Sequence, residues 1–167
     1  MVNIEIKARC ADLGRAEDNL SALGAGPAGS FRQRDTYFRC PTGRLKLREL
    51  NPQEGYLIFY QREDIPGPKR SDYRTAATSD PEALRAILGQ VLGTGAEVTK
   101  TRQVWLWENV RIHLDEVDGL GSFLELEAVT DSAAATESQT RVEALMRALE
   151  IDPEHLVCGS YGDLIAK

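Results

Sequence analysis

Hydrophobic and polar positions alternate along most of the chain with a period of two, the spacing of a strand with one dry face and one wet face. The pattern is set at once: Asn3, Glu5, Lys7 and Arg9 interleave with Ile4, Ile6 and Ala8 across residues 1–10. It returns in segments 31–39, 44–50, 56–62 and 70–77, and in three longer ones, 96–107, 110–117 and 122–129. Turn residues separate them, as at Pro41-Thr-Gly43, Asn51 to Glu54, Pro66-Gly-Pro68, Glu108-Asn109 and Asp118-Gly-Leu-Gly121. Residues 24–30 read as a loop.

The period lengthens to that of a helix in three places. Asp12 caps a helix over 12–23 whose stripe is Leu13, Ala16, Leu20 and Leu23. Asp80-Pro81 opens a second, expected to bury Leu84, Ile87, Leu88, Val91 and Leu92 before Gly93 stops it. A third spans about 136–149 with Val142, Leu145, Met146 and Leu149, and a short helix capped by Ser160 begins at Tyr161. The pattern predicts an α+β fold: an eight-stranded closed antiparallel β-barrel, a tunnel, with peripheral helices over its apolar outer face. Closure removes exposed edges. An open sheet with a solvated charged face is the competing arrangement.

Composition narrows the class. At 167 residues, 42% hydrophobic and 28% charged, the chain suits one soluble globular domain over 1–167. No apolar run approaches the roughly 20 residues of a membrane span, and no signal-type segment opens the sequence. The three cysteines, Cys10, Cys40 and Cys158, are isolated, which supports neither a disulfide framework nor a zinc site and points to a cytoplasmic setting. A net charge of −6 argues against coating nucleic acid through bulk positive charge. A homodimer is left open.

The charged faces hold the chemistry. Lys7, Arg9, Arg44, Lys46, Arg48, Arg62, Lys100, Arg102 and Arg111 share the polar parity of their strands with Glu5, Asp115, Glu125 and Glu127. Phe123-Leu-Glu-Leu-Glu127 sets two carboxylates on one face between leucines, which suits a hard divalent cation. His113 shares the parity of Arg111 and Asp115 but is read as structural, because a lone strand histidine more often packs than ligates. Cations in such excess are costly if dry and unpaired. A triphosphate with a bridging Mg²⁺ or Mn²⁺ would resolve the imbalance, since Lys and Arg clamp phosphate oxygens. Cross-strand ion pairs on a solvated surface, each worth at most about 1 kcal/mol, are the plainer alternative.

The chain resembles the CYTH family, the triphosphate tunnel enzymes that include class IV adenylate cyclases, thiamine triphosphatases and tripolyphosphatases. The resemblance rests on Asn3-Ile-Glu-Ile-Lys-Ala-Arg9, Asp35-Thr-Tyr-Phe38, Gly43-Arg-Leu-Lys-Leu-Arg-Glu49 and Leu57-Ile-Phe-Tyr-Gln-Arg62. It continues through Lys100-Thr-Arg102, Arg111-Ile-His-Leu-Asp115 and Gly119-Leu-Gly-Ser-Phe-Leu-Glu-Leu-Glu127. It implies that Glu5, Glu125 and Glu127 hold the metal, Mg²⁺ or Mn²⁺, with Asp115 nearby. It further implies that Lys7, Lys46, Arg48, Arg62, Lys100 and Arg102 grip the triphosphate, with Arg44 added by parity. Lys7, beside the metal, holds phosphate charge. The family signature E-x-E-x-K has Asn3 at its first glutamate, an oxygen donor without charge.

ATP and tripolyphosphate are the substrates this implies. The motif arrangement is closer to the class IV cyclases, which form cyclic AMP and pyrophosphate from ATP. A triphosphate hydrolase and a non-catalytic binder of polyphosphate or nucleotide are the alternatives.

Overall fold

The computed structural model describes residues 2–130 and 134–166, so the expected start of the first strand at Met1 lies outside the described residues. Eight strands form: β1 (Val2–Arg9), β2 (Gly26–Phe38), β3 (Arg44–Asn51), β4 (Glu54–Arg62), β5 (Lys69–Thr78), β6 (Thr94–Trp107), β7 (Val110–Val117) and β8 (Gly121–Thr130). All pairs are antiparallel and the ring runs β1-β5-β4-β3-β2-β6-β7-β8. The closed tunnel expected from the alternation is therefore present. β1 closes it, pairing with β8 along its whole length but with β5 only from Val2↔Asp72 to Glu5↔Lys69.

The alternation decides what lies on each side. Ile4, Ile6, Ile112, Leu114, Leu124 and Leu126 point out of the ring and are buried under two helices, α1 (Leu13–Ala22) and α3 (Ala135–Ala148). Leu20 of α1 and Val142 and Leu145 of α3 complete this core. Burying such a side chain contributes about 1.5–3 kcal/mol, so the packing that holds the ring is outside it. The Asp12 side chain caps α1 by accepting from the Arg15 amide at 2.9 Å. Among the described residues, no helix is long and apolar enough to cross a membrane.

Two details depart from the pattern. β2 begins at Gly26, inside the stretch read as a loop, because Gly26–Ser30 pairs with the far end of the long β6 through a register shift between Pro27 and Gly29. Pairing with a partner strand overrides the local preference of glycine and proline for turns. The helix α2 (Pro81–Leu92) rests on β2, β3 and β4 with Leu84, Leu88 and Leu92 half-buried. Ile87 and Val91, expected in its buried stripe, are 57% and 74% exposed. They sit one position back along the helix, about 100° round from the contact line.

At the turn before β3, Gly43 has φ +66°, and a Cβ there would lie 2.8 Å from the Tyr60 carbonyl oxygen. Only glycine satisfies both demands. That turn sets where Arg44, Lys46 and Arg48 begin their alternation.

Candidate active site

The inward positions of the eight strands enclose a cavity of about 530 Å³, within the range of small-molecule sites. One end is closed by the helix α4 (Tyr161–Ile165). Ser160 and Asp163 form a reciprocal cap, Ser160 Oγ accepting from the Asp163 amide at 3.2 Å and Asp163 Oδ2 from the Ser160 amide at 2.7 Å. This cap fixes the first residue of the helix, Tyr161, beneath the cavity. Its hydroxyl donates to Asp115 Oδ2 at 2.7 Å, and its ring lies 3.5 Å from Lys7 Nζ and 5.0 Å from Lys100 Nζ. Phe123 meets the ring edge-on at 5.0 Å.

Three of the expected phosphate-gripping side chains converge on one buried carboxylate, Asp35 of β2. Lys46 Nζ lies 2.9 Å and Lys100 Nζ 3.2 Å from Oδ2, while Arg48 donates through Nε and Nη2 at 2.8 Å each. Burial by itself would raise the Asp35 pKa, but Arg48, Lys100 and Lys46 outweigh it and hold the carboxyl well below its ordinary range. Lys100 pays the opposite penalty. Burial, reinforced by Arg102, pushes its ammonium down to about 7 against the pull of Asp35.

The carboxylates gather on β1 and β8. Glu125 takes Lys7 at 2.9 Å on Oε1 and Arg102 at 2.6 Å on Oε2, with His113 Nδ1 3.4 Å from that same oxygen. Despite burial, Lys7 and Arg102 hold the Glu125 carboxyl well below its usual value. Glu127 pairs with Arg111 at 3.0 Å and stands opposite Glu5 in the strand register. Glu5 is hydrogen-bonded by Arg62, yet burial raises its pKa, and Glu127 and Glu125 add to the rise. Burial, with Arg102 nearby, lowers the pKa of His113, so its imidazole is neutral at pH 7.

A divalent cation fits this end of the cavity. Among the described residues, His113, Glu125 and Glu127 present donor atoms that all lie within 4.8 Å of one another. The side-chain oxygen of Asn3 is buried in the same cavity and accepts no hydrogen bond from the described residues. Three carboxylates on adjacent strands, with the pKa of Glu5 raised by burial and by Glu127 and Glu125, are the environment a dication relieves.

Not every residue singled out from sequence reaches the cavity. Arg44 is drawn to Asp163 at 2.9 Å and to Asp64, away from the lining. Arg9 is exposed, 5.0 Å from the Phe123 ring centroid, and donates to the Leu120 carbonyl. Asp115, expected near the metal, lies in the wall, committed to Tyr161 and to Arg102 Nε at 2.7 Å. Seven of the nine expected cations, Lys7, Lys46, Arg48, Arg62, Lys100, Arg102 and Arg111, line the cavity with three of the four expected carboxylates, Glu5, Glu125 and Glu127. Asp35 and Asp115 stand behind that lining, paired with Lys46, Arg48, Lys100 and Arg102.

Asp35 and Tyr161 carried no role in the sequence reading. Asp35 could have been found from its parity with Gln33 and Tyr37 on β2. Tyr161 offers no signal beyond its position after a helix cap.

Apolar and aromatic side chains also line the cavity. β2, β3, β4 and β5 turn Phe31, Leu50, Tyr56, Ile58 and Thr75 inward. They interleave with the cations around the ring: Tyr56 stands opposite Arg48, Ile58 opposite Lys46 and Phe31 opposite Arg102 in the strand register.

A family model described as the CYTH domain matches residues 1–161. The chain belongs to the CYTH family. This CYTH chain is 25% identical, over 98% of both chains, to a Methanocaldococcus jannaschii protein named "Putative adenylate cyclase". Its fold is similar to that of a Pyrococcus horikoshii protein, with a TM-score of 0.87 at 24% identity over 97% of this chain and 98% of that one. It is also similar to a Hippeastrum protein described as a "Putative adenylyl cyclase" that reveals a dominant triphosphatase activity, with a TM-score of 0.62 at 14% identity over 99% and 94% of the two chains. Both likenesses lie in the CYTH fold.

Proposed function

We propose that the protein is a divalent-cation-dependent enzyme that converts ATP to cyclic AMP and pyrophosphate inside the tunnel, in the manner of class IV adenylate cyclases. The apolar and aromatic side chains that line the tunnel beside its cations carry this reading. The triphosphate chain lies along the cations. Its organic group packs against Phe31, Tyr56 and Ile58, which inorganic tripolyphosphate would leave empty.

Glu5, Glu125 and Glu127 hold the cation, which supplies charge neutralisation for the phosphates. Lys46, Arg48 and Lys100, already fixed by Asp35, grip the phosphate oxygens without having to be ordered or stripped of water at the moment of reaction. Arg62 and Arg102 face the same chain of phosphates from β4 and β6. Lys7 sits between Glu125 and the Tyr161 ring, where it stabilises charge on the departing pyrophosphate. The ribose 3′-hydroxyl attacks the α-phosphorus as the bond to the β-phosphate oxygen breaks. Phe31, Tyr56 and Ile58 hold the nucleoside so that the hydroxyl, and not water, is nearest.

Hydrolysis of the terminal phosphate is the second reading. It uses the same grip and gains support from the activity named for the Hippeastrum protein. One assay separates them. Purified protein with Mg²⁺ or Mn²⁺ is given ATP or tripolyphosphate, and cyclic AMP, pyrophosphate and orthophosphate are quantified. Cyclic AMP with equimolar pyrophosphate is expected. Orthophosphate from either substrate without cyclic AMP favours the hydrolase, and tight binding without turnover would leave a triphosphate-binding protein.

A further inference from the structure

The sequence gives His113 no role, and its place on β7 gives it one. It is buried, it lines the cavity beside Glu125, and one of its ring nitrogens shares a 4.8 Å neighbourhood with carboxylate oxygens of Glu125 and Glu127. A second observation is independent of this cluster. Asn3 is 4% exposed, lines the same cavity, and keeps a side-chain oxygen with no hydrogen-bond donor among the described residues. It lies on the face of β1 that carries Glu5, two residues along from the Glu5↔Glu127 pair. A buried carbonyl-type oxygen without a donor is costly, and a cation is the partner that removes the cost.

We infer that His113 is a direct nitrogen ligand of the cation, joining Glu5, Glu125, Glu127 and Asn3 in a mixed nitrogen–oxygen site that prefers Mn²⁺ to Mg²⁺. The chemistry follows from the donors. Mg²⁺ selects oxygen and gives up water reluctantly, whereas imidazole suits transition metals, whose affinity rises along the first row above Mg²⁺. Asn3 in the first glutamate position of the E-x-E-x-K signature removes one charged oxygen donor. The imidazole keeps the number of donors up without restoring the charge, and this shifts the balance towards Mn²⁺. The inference rests on the reading that this end of the tunnel holds a cation, and it specifies which atoms hold it.

The test is spectroscopic and needs no turnover. Mn²⁺ is titrated into the metal-free full chain in the presence of tripolyphosphate, which brings no nitrogen. Pulsed electron paramagnetic resonance then looks for nitrogen coupling to the metal. The chain has two histidines, and His155 lies in an exposed turn, so a histidine-specific nitrogen isotope label reports on His113 and excludes Lys7 and Arg102.

Label-dependent coupling is expected in the wild type. In His113→Gln the coupling should vanish and the preference for Mn²⁺ over Mg²⁺, read by competition, should fall by about tenfold. Circular dichroism shows whether that variant is folded; if it is not, the labelled wild-type spectrum decides alone. Saturable Mn²⁺ binding that Glu127→Gln abolishes, with no histidine coupling in the wild type, overturns the inference and leaves the proposed function standing. Tripolyphosphate binding with no protein-dependent Mn²⁺ site removes both.

Discussion

Asp35→Asn is the sharpest perturbation of this tunnel. The carboxylate is 1% exposed and is shared by Lys46 at 2.9 Å, Arg48 at 2.8 Å and Lys100 at 3.2 Å. Asparagine keeps the shape and removes the charge, leaving Lys46, Arg48 and Lys100 without their shared partner. Breaking a buried pair by removing one partner costs about 3–5 kcal/mol. In a chain of this size each kcal/mol moves the melting temperature by roughly 2–4 °C, so a fall of about 6–20 °C is expected. Tripolyphosphate brings negative charge to the same three side chains, so it should narrow the gap between variant and wild type.

The pH dependence has a definite sign. The folded carboxyl lies well below its unfolded value of about 3.9, so its contribution is complete above that value and is lost as pH falls towards the folded pKa. Melting curves by circular dichroism, from pH 7 down to pH 3, with and without tripolyphosphate, test all of this. A variant that melts within a couple of degrees of the wild type, or that gains no more from tripolyphosphate than the wild type does, refutes the assignment of Asp35 as the organiser of the phosphate grip.

Other outcomes follow from the same geometry. Lys100, pushed down to about 7 by burial, is mostly neutral at pH 8 in the free protein, and a bound polyanion restores its charge. Calorimetry in buffers of different ionisation enthalpy should show proton uptake on triphosphate binding at pH 8 that shrinks by pH 6 and is absent in Lys100→Ala; identical uptake in that variant would exonerate Lys100. Because the unfolded lysine titrates near 10.4, the ligand-free protein should also gain stability from this residue as pH rises from about 7 towards 10. Tyr161→Phe removes a buried hydrogen bond to a carboxylate, worth about 1.5–3 kcal/mol, while keeping the ring under Lys7, so melting should fall with little change in KM. Tyr56→Ala should raise KM for ATP by about tenfold, as a lost aromatic contact does, and leave tripolyphosphate binding unchanged; equal weakening of both would remove Tyr56 from nucleoside recognition.

The alternation of polar and apolar residues by itself determined the strands and their charged and apolar faces, and left open whether they close into a ring. Asn3-Ile-Glu-Ile-Lys and Phe-Leu-Glu-Leu-Glu127 commit each side chain to one face, and a strand has only two faces. Once the leucines and isoleucines need cover from α1 and α3, the charges must face inward. Local pattern could not say which inward groups meet, because neighbours across a ring come from distant parts of the chain. Asp35 meets Lys100 across 65 residues of sequence, and Tyr161 reaches Asp115 across 46. Nor could it say where a strand's inward parity stops counting: Arg9 and Arg44 keep that parity but fall at the ends of β1 and β3, past the cavity. The same holds for Ile87 and Val91, apolar at helical spacing yet left in solvent because α2 touches the sheet along one narrow line. Periodicity fixes a side chain's direction relative to its own strand or helix. Only closure of the ring and docking of the helices fix what lies in that direction.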